Sequence, residues 1–231
     1  VLEALRHAAS FNKVKVSVIP VDSTELTAEG VKKLKFDGVI IPQGWGSRGT
    51  EGKIEAIKFA RENKIPYLGL CFGMQMAVIE YARNVCGMAG ANSEEADVKT
   101  PYPVVHVMPD QKEYLAKKQY GGTIRLGSWP AVLKEGSVLK EVYNSSGLVG
   151  DKIEERHRHR YEVNNEYKKK LEEKGLVFSA LSPDGKLVEA LELPKSVHPF
   201  FVGTQYHPEY KSRPLNPHPL FVSFIKACIT K

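Results

Sequence analysis

Cysteine is scarce in this 231-residue chain: Cys71, Cys86 and Cys228 are the only three. A small, odd number argues against a disulfide framework and points to a reducing, cytoplasmic setting. Long apolar runs are missing too, so no stretch approaches the roughly 20 residues of a membrane-spanning helix. The opening residues Val1-Leu2-Glu3-Ala4-Leu5-Arg6-His7 have neither the basic start nor the apolar core of a secretory leader. There is no G-x-x-x-x-G-K-[ST] loop, and no dinucleotide G-x-G-x-x-G in the right setting, which argues against a phosphate-binding role. Repeats, low-complexity tracts and obvious linkers are also absent, and one domain over residues 1–231 is the expectation.

What is present is an ordinary globular balance, 42% hydrophobic and 26% charged, with a net charge of +6. The densest basic run, Arg156-His157-Arg158-His159-Arg160, follows Glu154-Glu155. No aromatic platform or recognition helix accompanies it, so it reads as a solvated or partner-facing surface and not as a nucleic-acid patch.

The first half alternates helix and strand. Leu2, Leu5, Ala8 and Ala9 have helical spacing, so the chain opens on a helix, as a fragment lacking its first strand would. Val14 to Pro20 alternates with β-branched residues and predicts a strand. Thr27 caps a short helix, Asp37 to Pro42 is a buried strand, Thr50 to Asn63 a helix and Ile65 to Leu70 a strand. Met74, Ala77, Val78, Tyr81, Ala82 and Val85 then mark the buried stripe of a helix. Beyond residue 100 come shorter strands at Pro103 to Met108, Thr123 to Leu126, Val177 to Leu181, Val188 to Leu193 and Phe200 to Gln205, with helices at 166–175 and 218–229. The expected fold is α/β: a central, mostly parallel twisted sheet with helices on both faces, plus a smaller antiparallel section.

Chemistry concentrates at Gly69-Leu70-Cys71-Phe72-Gly73. This segment joins a strand to a helix, with glycines two residues either side of the apex, as in the G-x-S-x-G elbow of hydrolases. A cysteine at the apex suggests thiolate attack on an acyl carbon, although a free cysteine is also a common small core residue. Such a nucleophile needs a base and an orienter for that base. Of seven histidines, His207 follows a buried strand directly, and Glu209 lies two residues on, within reach of its second nitrogen. On spacing alone the two are equally readable as turn residues. The Phe72 amide and the Gly44-Gly46 loop can donate to a developing oxyanion. His157 and His159 alternate along a strand, but the surrounding arginines make a poor cation site.

These residues together resemble the class I glutamine amidotransferase domains, and within them the C-terminal glutaminase half of CTP synthases. The segments carrying the likeness are Gly69 to Gln75, Ala91 to Glu95, Glu155 to Asn164, Gln205 to Tyr210, Gly121 to Gly127 and Gly44 to Lys53, within a match running from about residue 1 to 229. The elbow and His-Pro-Glu segments are shared by many amidotransferases; the Arg-His-Arg-His-Arg-Tyr-Glu-Val-Asn run is far more particular. The resemblance implies Cys71 as nucleophile, His207 as base and acid, and Glu209 as orienter. It implies the Gly44 and Phe72 amides as oxyanion hole, and Gln75, Glu95 and Arg160 as the groups holding glutamine. It further implies no cofactor in this domain. Ammonia would pass to an N-terminal synthase domain that converts UTP to CTP with ATP and Mg²⁺, in a homotetramer activated by GTP at the domain boundary. Lys112 to Lys118 and the Tyr210 to Pro219 loop are either contacts with that domain or ordinary surface. One departure stands out: Gln43 replaces the first glycine of the family's Gly-Gly-Phe-Gly, and is strained if a positive φ is needed there. Two other readings stay open, another Cys-His acyl-transfer enzyme and a non-catalytic module on the same fold.

Overall fold

The structure, a computed structural model, describes residues 1–108 and 124–230. In chain order it contains α1 (Leu2–Phe11), α2 (Ala28–Lys33), β1 (Val39–Ile41), α3 (Thr50–Glu62), β2 (Tyr67–Leu70), α4 (Phe72–Asn84), β3 (Asn92–Ser93) and β4 (Pro103–Val107). There follow β5 (Arg125–Leu133), α5 (Val138–Asn144), β6 (Lys152–His159), β7 (Tyr161–Val163), α6 (Asn165–Glu173), β8 (Val177–Leu181), β9 (Val188–Glu192), β10 (Phe201–Thr204), a 3₁₀ turn (Pro208–Tyr210) and α7 (Pro219–Ile229). The main sheet has the order β1-β2-β10-β9-β8-β5-β6, and a small second sheet the order β3-β4-β7.

β1, β2 and β10 run parallel, and every pairing from β10 outward to β6 is antiparallel. The α/β layering and the smaller second sheet are as expected, but the parallel share of the main sheet is limited to those three strands. The short connections 182–187 and 193–200 explain part of this, since neighbours joined so briefly can only lie antiparallel.

Side-chain alternation along β2 divides the interior in two. Tyr67 joins a core built with α2, α3, α4 and α6, whereas Leu68 and Leu70 join one built with α1, α5 and α7. Helix α4 is buried over eleven of its thirteen residues, well beyond the stripe its periodicity predicts. It lies between the main sheet, α3 and the second sheet, so Met76 and Ile79 are covered as fully as Met74. Even Glu80 is enclosed, where Arg61 of α3 grips its carboxylate through Nη2 (2.7 Å) and Nε (2.9 Å).

One predicted strand is not formed. Residues 14–20 have no ladder partner among the described residues, and Val16, Val18, Ile19 and Val21 are exposed. Alternation gives a segment the capacity for a strand, but the strand exists only where a neighbour supplies the ladder, and among the described residues β1 pairs only with β2. Conversely, α5 and most of β5 were not anticipated. The start of the strand expected from Thr123, the Gly121-Gly122 part of the motif and the Lys112 to Lys118 segment lie outside the described residues.

Candidate active site

The elbow forms as its glycines demand. Cys71 links β2 to α4 with φ 52° and ψ −98°, one of three non-glycine residues with positive φ among those described. This costs backbone energy that a functional turn can carry. A Cβ on Gly73 would stand 2.1 Å from the Ile41 carbonyl oxygen, and one on Gly69 2.8 Å from the Gly73 carbonyl carbon. Only glycine permits this approach of α4 to the strand ends.

Parallel pairing of β2 with β10 places Leu70 opposite Thr204, and the Cys71 N–H continues the ladder to the Thr204 carbonyl at 2.6 Å. The C-terminal ends of these strands thereby bring residues 205–209 beside the elbow, the usual position for a site in an open α/β sheet. His207 is buried, with its N–H bonded to the Arg156 carbonyl (2.8 Å). Its Nδ1 is 2.8 Å from Glu209 Oε1, and its ring stacks on Tyr210 with centroids 5.1 Å apart. The carboxylate accepts a hydrogen bond from Nδ1–H, which keeps the proton on that nitrogen and leaves Nε2 as the basic one. That nitrogen has no hydrogen-bond partner among the described residues.

Cys71 Sγ does not hydrogen-bond to His207 in this conformation. Its contacts are the Arg158 carbonyl oxygen at 3.9 Å and Gln205 Nε2 at 3.5 Å. Burial pushes the Cys71 thiol up to about 12, and the nearby Glu209 and Glu95 carboxylates add to the rise. The Phe72 N–H and the Gln205 amide act in the opposite direction.

Gly44 lies against the Phe72 ring, 3.3 Å from the nearest ring carbon for a Cβ placed there, so the glycine-rich loop does border the elbow. The strain anticipated at Gln43 is not found, because its φ is not positive; Gly46 and Gly49 are the loop residues in the left-handed region, at 73° and 66°. Glu95 is drawn into the same group: burial raises its carboxyl, while the Gly46 N–H and the Arg160 guanidinium lower it. Arg160 is itself buried. Gln75, by contrast, already uses both amide hydrogens, on the Tyr161 carbonyl (2.9 Å) and Gln205 Oε1 (3.1 Å). Only its own oxygen is left for another group.

Sequence reading missed the groups behind this front. The inward face of β6 presents His157 and His159 to Arg125 of β5 and Glu189 of β9. Arg125 Nη2 is 2.8 Å from Glu189 Oε1, and its Nη1 lies 3.4 Å from His157 Nδ1 and 3.5 Å from His159 Nε2. His157 Nε2 faces Glu189 Oε2 at 3.5 Å, and His159 Nδ1 donates to the Tyr161 carbonyl (3.0 Å). With both rings neutral no tautomer pair serves every contact, because His157 Nδ1 and His159 Nε2 also lie 3.2 Å apart and cannot both accept from Arg125 without facing each other as acceptors. Burial, then the facing charges, depresses His157 to about 2 and His159 to about 3. The period-two alternation did announce that the rings share a side, but not that an arginine would lie against both of them.

The profile of the family described as "Glutamine amidotransferase class-I" matches residues 1–227. The chain is 54% identical over 231 residues to a CTP synthase of Caldanaerobacter subterraneus, covering 99% of this chain and 41% of that protein. It is 52% identical over 232 residues to one of Rubrobacter xylanophilus, covering 99% and 40%. It therefore spans about two-fifths of the length of the curated relatives it matches. Among solved structures, the glutaminase domain of Trypanosoma brucei CTPS with bound acivicin superposes with a TM-score of 0.88 at 35% identity, covering 100% of this chain and 87% of that one.

Proposed function

The chain belongs to the class-I glutamine amidotransferase family, and on that premise we propose that it is the glutaminase domain of a CTP synthase, releasing ammonia from glutamine for the amination of UTP. The observation that carries this reading is the left-handed Cys71 at the head of α4, beside a His207 whose Nδ1 is held by Glu209 at 2.8 Å. Residues 1–231 form one amidotransferase domain of a longer protein.

In the reaction, His207 Nε2 takes the Cys71 thiol proton. The thiolate adds to the side-chain amide carbon, and the oxyanion is met by the Phe72 and Gly44 amides. The His207 imidazolium then protonates the leaving nitrogen, ammonia departs, and a γ-glutamyl thioester remains on Cys71. Water, deprotonated by His207, cleaves it to glutamate. Glu95 receives the substrate ammonium and Arg160 its carboxylate, the charge pairing a zwitterionic amino acid requires. The Gln75 oxygen is suited to the ammonium end.

The partners of this domain are L-glutamine and the protein's own N-terminal synthase domain, in a homotetramer with GTP acting at the domain boundary. ATP and Mg²⁺ belong to the synthase half, since this chain carries no phosphate-binding loop sequence. The setting is cytoplasmic; among the described residues no helix is long and apolar enough to cross a membrane.

The test is intact mass after incubation with 6-diazo-5-oxo-norleucine, a reactive glutamine analogue. One adduct on Cys71, blocked by glutamine and lost in Cys71→Ala, is expected. Equal labelling of Cys86 and Cys228 would reject a formed glutamine pocket.

A further inference from the structure

Gln205 occupies a position that register alone creates. It follows Thr204, the last β10 residue paired with β2, and so faces the residue that follows Leu70, which is Cys71. Its side chain is fully buried and held at both ends. Gln75 Nε2 donates to Gln205 Oε1 (3.1 Å), and Gln205 Nε2 points at Cys71 Sγ (3.5 Å). Gln75 is itself aimed by its second donation, to the Tyr161 carbonyl at 2.9 Å. Turning the Gln75 amide over would set its oxygen against two acceptors, so the relay has one favourable sense. Gln205 must then present its N–H, not its oxygen, to the sulfur. The Gln205 backbone N–H is tied in turn to the Glu189 carbonyl (2.8 Å), which fixes the residue's height above the sheet.

We propose that Gln205 is a further catalytic residue of this site, its amide N–H supporting the Cys71 thiolate, with Gln75 as the positioning residue that aims it. This deepens the glutaminase reading and rests on Cys71 being the nucleophile. Besides the Phe72 N–H, the sulfur has two neighbours with opposite preferences. The Arg158 carbonyl accepts only from the protonated thiol, and repels the thiolate. The Gln205 N–H binds both forms and the anion more strongly, as a charge-assisted hydrogen bond. When the proton passes from Sγ to His207 Nε2, the contact with Arg158 is lost and that with Gln205 strengthens. Once the S–C bond forms, sulfur is neutral and the contact weakens. It strengthens again when water, giving its proton to His207, adds to the thioester carbon and the C–S bond breaks to return the thiolate. Support of this kind is needed in a pocket that otherwise penalises the anion.

The experiment uses the full chain and follows carboxamidomethylation of Cys71 by iodoacetamide against pH, read by mass on the peptide containing Cys71, with Cys86 as internal reference. Gln205→Met is expected to raise the midpoint by about one pH unit, or roughly tenfold slower labelling near neutrality. Gln75→Met, which leaves Gln205 in place but no longer aimed, should raise it less, with Cys86 unchanged in both. A Gln205→Met profile superimposable on the wild type overturns the proposal. If Gln205→Met fails to fold by its thermal melt, the Gln75→Met profile decides, and an unshifted midpoint there overturns it equally. Failure of the nucleophile reading looks different: the wild-type Cys71 would then take no adduct from the glutamine analogue.

Discussion

Burial holds Cys71 as a thiol pushed up to about 12, whereas acyl transfer requires the thiolate. In the proposed reaction the thiolate forms only as its proton moves to His207 Nε2, and that nitrogen is basic only while Glu209 holds the other one protonated. Glu209→Gln keeps the size of the side chain but can donate to Nδ1, favouring the wrong tautomer. We expect its kcat for glutamine hydrolysis to fall on the order of 10²–10⁴-fold with little change in KM. An equal rise in KM would show that Glu209 acts on substrate binding instead. Cys71 stood out as a candidate in the sequence because its signal is local, two glycines around an apex, whereas His207 and Glu209 were equally readable as turn residues until the family resemblance gave them roles. Gln205 was not legible, since a glutamine at the end of a strand has no meaning until the neighbouring strand is known.

Helix α4 shows the same division one level up. Its helical period is plain in the sequence, but its burial on nearly every side follows from the second sheet, whose strands come from residues 92–93, 103–107 and 161–163. Two consequences can be measured. Gly73→Ala places a methyl group 2.1 Å from the Ile41 oxygen, where backbone cannot yield cheaply. A loss of roughly 1–3 kcal/mol is expected in urea unfolding, together with lower activity as the elbow shifts; unchanged stability would mean that α4 can slide. Arg61→Met leaves Glu80 buried without its guanidinium partner. The cost should be about 3–5 kcal/mol, and Arg61→Met combined with Glu80→Met should recover much of it. Additive losses would show that the pair is not coupled. The reverse failure, at residues 14–20, has the same root: local alternation was read correctly as β capacity, but no ladder partner is present among the described residues.

The buried cluster of Arg125, Glu189, His157 and His159 ties β5, β6 and β9 together beneath the site, and it makes stability depend on pH. Both rings have folded values, about 2 and about 3, below the 6.5 of a free histidine. Between those values the unfolded chain binds more protons, so their stabilisation is complete above 6.5 and declines as pH falls toward 3. Glu189, whose carboxyl is raised by burial, acts in the opposite sense. Urea unfolding should therefore lose on the order of 2 kcal/mol per ring between about pH 7.5 and pH 5. A His157→Gln, His159→Gln double variant should lose less. A wild type insensitive to this change would mean that the rings are charged in the folded protein. Glycine placement and hydrophobic period were enough to point to the α/β class and the elbow, and the motif segments carried the family likeness and with it the candidate triad, because each segment is made of residues close together in the chain. The direction of the outer strands, the enclosure of α4, the arginine set against the two histidines and the amide aimed at Cys71 were decided only on folding. They depend on which strand lies beside which and in what register, and pairing between distant segments is settled by the packing of the entire core.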